Sequence, residues 1–211
     1  MRERRVRAYI GLGANVGEAR ATLTRAVHAL ATLPGVRLRD VSRLYATAPV
    51  GVTDQPDFHN AVVALDVPAG DDPALGALAL LTSLKALERD AGRQIRGRWG
   101  PRELDLDLLI FGRAQVSVER PPDARSNDAA IDPAKATKLL VVPHPEAHER
   151  LFVLAPLSDV ARWLVPPGWH ETVTTARVRQ EAAAGPGAVR PIGTWDAARS
   201  AWGPTDDRRG R

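Results

Sequence analysis

The chain has 211 residues, no cysteine, 44% hydrophobic and 26% charged residues, enough for one core-forming domain with a short appendage and too ordinary a mixture for wholesale disorder. The lack of cysteine excludes a disulfide framework and a thiolate zinc site. No apolar run approaches the ~18 residues of a membrane span, so a cytoplasmic monomer without membrane attachment is expected. A net charge of +4, from 29 Lys+Arg against 25 Asp+Glu, points to polyanionic partners, either nucleic acid or nucleotide phosphates.

Val6 to Leu12 is an apolar run that ends in Gly11-Leu12-Gly13, which predicts a buried strand. From Gly17 to Leu33, apolar residues recur at Leu23, Ala26, Val27, Leu30 and Leu33, the spacing of one helix face; Pro34-Gly35 stops it. Asn15 reads as the cap of that helix. Val36 to Thr47 alternates in part and predicts one long strand with an irregularity near Asp40. Ala48 to Asp57, with Pro49, Gly51, Asp54 and Pro56, is a loop, and Phe58 to Val67 is a further strand.

Pro73 suits a first helical turn, and Leu75, Leu78, Leu81, Leu84 and Leu87 continue a second helix. Ala91 to Pro101 is a loop rich in Gly and Arg, and Glu103 to Phe111 is the clearest strand. The order β-α-β-β-α-β predicts an α+β, ferredoxin-like core, an antiparallel sheet with both helices packed on one face. Beyond Gly112, short strands are expected at 116–118 and 139–142, with an exposed insertion at 119–138. Leu151 to Val160 is a buried-looking segment. Residues 1–165 read as the functional domain and 166–211 as a partly ordered C-terminal extension.

Asp105-Leu106-Asp107 carries the sharpest chemical signal. On a strand the two carboxylates share a face, with Cα atoms ~6.5–7 Å apart. Leu104, Leu106, Leu108 and Ile110 point the other way. Such acids repel each other unless cations lie between them. Two hard oxygen ligands that leave other positions open suit Mg²⁺, and two such ions could clamp a transferring phosphoryl group. Acids on a solvated strand face are the plain alternative.

The preceding loop, Gly92-Arg93-Gln94-Ile95-Arg96-Gly97-Arg98-Trp99-Gly100-Pro101-Arg102, shifts the balance. It supplies four arginines, whose forks match phosphate oxygens. A cationic loop followed by a metal-ligating strand makes a polyphosphate site. The competing class, an RNA-binding module on the same element order, calls for exposed aromatics on central strands; instead an acid pair stands there, which would repel a nucleic-acid backbone.

The segment Arg98-Trp99-Gly100-Pro101-Arg102-Glu103-Leu104-Asp105-Leu106-Asp107 resembles the signature of the 6-hydroxymethyl-7,8-dihydropterin pyrophosphokinase family of folate biosynthesis. Three further segments are similar to it in order: Tyr9 to Gly17, Tyr45 to Asn60, and Val142-Pro143-His144-Pro145 through Leu154. The resemblance covers roughly residues 7 to 165 outside the insertion. It implies transfer of pyrophosphate from ATP to the hydroxymethyl-pterin, giving AMP, with no nucleic-acid partner.

Carried over by position, the resemblance implies that Asp105 and Asp107 hold two Mg²⁺ ions. It implies that Arg93 and Arg96 close over the phosphates, with Arg102 near the transferred group. Lys85, Glu88, Arg98, Trp99, Leu108, His144 and Arg150 would contact the nucleotide. Thr47, Ala48 and Val50 would offer backbone groups to the pterin, Asn60 would read its polar edge, and Phe58 and Phe152 would stack on its ring, with Trp99 helping to close the site. Their chemistry fits, since a flat ring takes offset stacking and an amide-like edge takes matched donors and acceptors. At position 58 Phe stands where the family often has Tyr, which removes a hydroxyl but keeps a stacking face.

Overall fold

The computed structural model describes residues 4–49, 54–92, 100–122 and 136–205. The N-terminal strand β1 (Arg5–Ala14) leads to α1 (Ala19–Thr32), β2 (Arg37–Val41), β3 (Leu44–Thr47), β4 (Phe58–Pro68), α2 (Pro73–Asp90) and β5 (Asp105–Phe111). This is the expected β-α-β-β-α-β order, with one refinement. The single long strand expected over 36–47 is two strands, each pairing with part of the longer β4. The break falls at Ser42, whose N–H donates to the Val62 carbonyl at 2.9 Å and whose hydroxyl accepts from the Val62 N–H at 2.9 Å.

The strands lie in the order β5-β1-β4-β3, with β2 also on β4 and antiparallel pairing throughout. Alternation sorts their side chains onto two faces. Ala8, Ile10, Leu12 and Ala14 of β1 join Ala61, Val63 and Leu65 of β4 and Leu106 and Leu108 of β5 in a core that α1 and α2 cover. α1 contributes Leu23, Ala26, Val27 and Leu30, and α2 contributes Ala77, Leu80 and Leu84. The start of α2 is fixed by Asp72, whose carboxylate accepts the Ala74 N–H at 2.6 Å, with Pro73 in the first turn.

The opposite face carries a second core, Tyr9, Val62, Ala64, Leu109 and Ile110, covered by α3 (Leu151–Ala161) and α4 (Val173–Ala184). The sheet is therefore sandwiched, with α1 and α2 together on one face as expected and a further helix pair on the other. The buried-looking segment 151–160 is indeed largely buried, and it is helical. One expectation is corrected here. Ile110 does not share the face of Leu104, Leu106 and Leu108. Pairing slips between Tyr9 and Ile10, so that Tyr9 lies opposite Ile110 while Ile10 lies opposite Leu108. This one-residue bulge at Leu109 turns Leu109 and Ile110 to the same face.

Beyond β5, β6 (Val116–Glu119) and β7 (Lys138–Val142) form an antiparallel pair at the two ends of the insertion; its residues 123–135 lie outside the described residues. After α4, β8 (Val189–Asp196) pairs antiparallel with β3, and β9 (Ala201–Gly203) pairs with β8. Trp202 of β9 is buried and its indole N–H donates to the Ser42 carbonyl at 2.8 Å. Residues 166–205, expected as a partly ordered extension, supply a helix and two strands.

Candidate active site

Asp105 and Asp107 begin β5, opposite Gly13 and Gly11 of β1. Their side chains leave the sheet on the α3 face, as the two-residue period requires, while Leu104, Leu106 and Leu108 enter the α1/α2 core. β5 is an edge of the main sheet, and its open side is closed by side chains. The Glu88 carboxylate accepts the Leu106 N–H at 2.7 Å, and Lys85 Nζ donates to the Leu106 carbonyl at 3.2 Å and to Glu88 at 2.7 Å. Further along, the His144 N–H donates to the Leu109 carbonyl at 2.8 Å. An edge strand so clipped is held in one register, which fixes the two aspartates.

The acids open into a cavity of about 140 Å³ lined by residues from every part of the frame. Thr47 and Ala48 come from the end of β3, Phe58 and Asn60 from the start of β4, Arg150 and Phe152 from the start of α3, and Gly100 and Arg102 from the segment before β5. Asn60 is buried, and its Nδ2 donates to Thr47 Oγ1 at 2.9 Å. Gly13 lies directly between Asn60 on β4 and Asp105 on β5. A methyl group there would touch Asn60 Oδ1 at 3.5 Å and Asp105 Cβ at 3.9 Å, so its absence leaves room on the cavity floor.

Burial pushes the Asp107 carboxyl above the ordinary carboxylate range, and the adjacent charge of Asp105 pushes it further; His144, Lys85 and Arg102 pull it back. Arg102 pairs with Asp105. Arg150 pairs with Glu146 and lies 5.6 Å from the centre of the Phe152 ring. Among the described residues no group of three metal-ligating side chains exists. A half-buried, mutually repelling carboxylate pair, with no third ligand beside it among the described residues, fits a hard cation that takes its remaining oxygens from water and a polyphosphate.

The structure thus brings together nine residues that the sequence singles out: Thr47, Ala48, Phe58, Asn60, Arg102, Asp105, Asp107, Arg150 and Phe152. Lys85 and Glu88 stand apart at the outer edge of β5, bonded to each other. The Leu108 side chain is buried in the core, which leaves only its backbone for a ligand. His144 borders a larger cleft of about 700 Å³ between the β6–β7 pair and residues 167–171, which neither aspartate lines. Val50, Arg93, Arg96, Arg98 and Trp99 lie outside the described residues.

Asn15 requires a correction. It does not cap α1, whose preceding residue is Glu18 and whose start has no side-chain cap. Asn15 is 2% exposed, and its side chain bonds to Gln55, Pro56 and Arg102. The local sequence suggested a cap because Asn commonly serves as one; its true partners are 40 to 87 residues away.

An acid pair aimed into a slot walled by aromatic rings and arginine fits the class of enzymes that transfer phosphoryl groups. Comparison with known proteins sharpens this. The model of the 7,8-dihydro-6-hydroxymethylpterin-pyrophosphokinase (HPPK) family matches residues 9–162. The 2-amino-4-hydroxy-6-hydroxymethyldihydropteridine pyrophosphokinase of Pseudomonas aeruginosa is 40% identical over 165 residues, covering 78% of this chain and 86% of its own length. That of Methylorubrum extorquens is 41% identical over 170 residues, covering 81% and 90%. The wild-type HPPK-DHPS of Plasmodium falciparum superposes with a TM-score of 0.68 at 13% identity over 99% of this chain; the chain spans about half of that protein (47%), and the likeness speaks for the fold. The chain belongs to the 7,8-dihydro-6-hydroxymethylpterin-pyrophosphokinase family, the enzymes that transfer pyrophosphate from ATP to the hydroxymethyl-pterin in folate synthesis.

Proposed function

We propose that the chain, as a cytoplasmic monomer, performs this transfer with Mg²⁺ held by Asp105 and Asp107, and that the cavity between β3, β4 and α3 is its pterin site. The observation that carries the reading is the placement of Asp105 and Asp107 in one cavity with Thr47, Phe58, Asn60 and Phe152. Bound divalent ions, two in number, would neutralise charge on the ATP phosphates. Phe58 and Phe152 stack on the pterin faces. Asn60, steadied by Thr47, offers its free carbonyl oxygen to ring N–H groups, while the backbone at Thr47, Ala48 and Val50 supplies complementary groups.

The hydroxymethyl oxygen forms a bond to the β-phosphorus, the bond from that phosphorus to the α–β bridging oxygen breaks, and AMP departs with that oxygen. The hydroxyl proton passes to solvent water as that bond forms. Arg102 stands beside Asp105 and stabilises charge on the transferred group. Arg93 and Arg96 close over the phosphates, Trp99 helps to close the site, and Lys85, Glu88, Arg98, the Leu108 backbone, His144 and Arg150 meet the nucleotide. The protein's contribution is alignment and electrostatic stabilisation.

The test is AMP formation from ATP with Mg²⁺, with and without 6-hydroxymethyl-7,8-dihydropterin, for wild type and for Asp107→Ala. Pterin-dependent AMP release that requires Mg²⁺ and disappears in a folded Asp107→Ala variant is expected. A folded variant with a near-normal rate overturns the metal assignment, and wild type without pterin-dependent AMP release overturns the activity.

A further inference from the structure

Behind the proposed pterin slot lies a polar cluster, half-buried at Arg43 and Asp159 and fully buried at Tyr45, to which none of the roles above refers. Tyr45, on β3, sits directly across from Asn60 and two residues before Thr47, so its ring shares their face of the sheet. Tyr45 is 1% exposed. Its hydroxyl donates to the Asp159 carboxylate, whose oxygens lie 2.9 and 3.1 Å away. The same carboxylate accepts from the Arg43 backbone N–H at 3.1 Å, from Arg43 Nε at 3.2 Å and from Arg43 Nη2 at 2.7 Å.

Asp159 belongs to α3, roughly two turns beyond Phe152. One carboxylate therefore joins the strand that leads into Thr47 and Ala48 to the helix whose first turn carries Phe152. These are the facing walls of the cavity. The neighbouring charges are otherwise engaged, since Arg177 of α4 pairs with Glu181 and donates to Ser158 Oγ at 2.8 Å. Burial drives the Tyr45 hydroxyl upward from its ordinary pKa, with Asp159 adding to the effect, so it remains a neutral donor to that carboxylate.

We infer that Asp159, acting through Tyr45, is a positioning residue that sets the distance between the Thr47–Asn60 edge of the pterin slot and its Phe152 wall. The inference rests on the pterin reading of that slot. A ring held between two faces is sensitive to their separation, because dispersion contacts fade within an ångström of their optimum, and a displacement of that size can cost ~100-fold in rate. Of the described residues proposed to meet ATP, only Arg150 adjoins α3, and Lys85, Glu88, Leu108 and His144 lie on or beside β5, so ATP depends little on this spacing.

The experiment uses full-length wild type, Tyr45→Phe, Asp159→Asn and the double variant. Pterin dissociation constants come from ligand fluorescence, those of a non-hydrolysable ATP analogue from calorimetry, and both KM values from steady-state rates. The expected result is that each single variant weakens pterin binding and raises the pterin KM by at least about tenfold, with analogue affinity held within about twofold. The double variant should be little worse than Asp159→Asn alone, because both changes cut the same link. Equal losses for both ligands, or unchanged pterin affinity beside a lowered melting temperature, would mean a purely structural role and overturn the inference. Tyr45→Phe retains the ring and tests the idea even if Asp159→Asn fails to fold. Wild type without pterin affinity would overturn the site reading and this inference together; a wild type that binds pterin beside variants that bind equally well overturns the inference alone.

Discussion

Asn15 and Arg102 hold each other twice: the Arg102 N–H donates to Asn15 Oδ1 at 2.8 Å, and the Asn15 N–H donates to the Arg102 carbonyl at 3.0 Å. The other end of the Asn15 amide donates to Gln55 Oε1 at 2.9 Å and to the Pro56 carbonyl at 3.2 Å. One buried side chain thus ties the segment entering β5 to the loop entering β4, and both feed the cavity. Asn15→Ala removes three hydrogen bonds and should cost about 2–4 kcal/mol of stability, read by urea denaturation. Asn15→Asp keeps the acceptor for Arg102 but turns a donor into an acceptor facing two carbonyl oxygens. It should lose activity toward both substrates, with stability at least as low as in the alanine variant.

Glu88 gives a second prediction. It is 2% exposed and accepts from Leu106 N–H and Lys85 Nζ. Glu88→Ala leaves a backbone donor at the edge of β5 without its charged acceptor, a loss of about 1.5–3 kcal/mol. Glu88→Gln can still accept the Leu106 N–H and should recover most of the stability. If its carboxylate serves mainly the nucleotide, the alanine variant will melt like wild type while its KM for ATP rises.

Much of this arrangement was legible in the sequence. The periodic leucines of α1 and α2 cover one sheet face, so their spacing announced them. Asp105 and Asp107 share a face because strand alternation leaves no other choice. The bulge at Leu109 was not legible, since it depends on a slip against β1 rather than on its own residues. Helix α3 escaped because it is buried nearly all round, from Leu151 through Ala155, Pro156, Leu157 and Ser158 to Ala161, and a helix without a polar face has no 3.6-residue signal. Helix α4 escaped for the opposite reason, since only Val173 and Ala176 are buried. The roles of Asn15 and Asp159 rest on partners far along the chain, which local pattern does not encode.

His59 predicts a pH effect. It lies on the α1 face of β4, and among the described residues its buried Nδ1 has no hydrogen-bond partner. Burial lowers its pKa from 6.5, and the charge of Arg20 lowers it further, while Asp57 opposes. A histidine depressed in the folded state takes up its proton more readily when unfolded. Its stabilising contribution is therefore complete above pH 6.5 and is lost as pH falls through the lower folded value. Melting temperatures from pH 8 to pH 5 should fall less steeply for His59→Phe than for wild type. Parallel profiles would remove His59 as the source of acid sensitivity.

Gly13 separates stability from function. Its φ is not in the left-handed region, so alanine fits the backbone, and the new methyl would meet Asn60 Oδ1 at 3.5 Å and Asp105 Cβ at 3.9 Å, which is ordinary contact. Replacing a strand glycine reduces the freedom of the unfolded chain and should stabilise by about 0.4–1 kcal/mol. The same methyl occupies the cavity floor between the residue proposed to read the pterin edge and one of the paired acids. A single added carbon in a fitted pocket commonly costs ~10–200-fold in discrimination. Gly13→Ala should therefore melt slightly higher than wild type while its pterin KM rises at least about tenfold. A variant that is both more stable and fully active would show that the substrate ring does not reach the floor between Asn60 and Asp105.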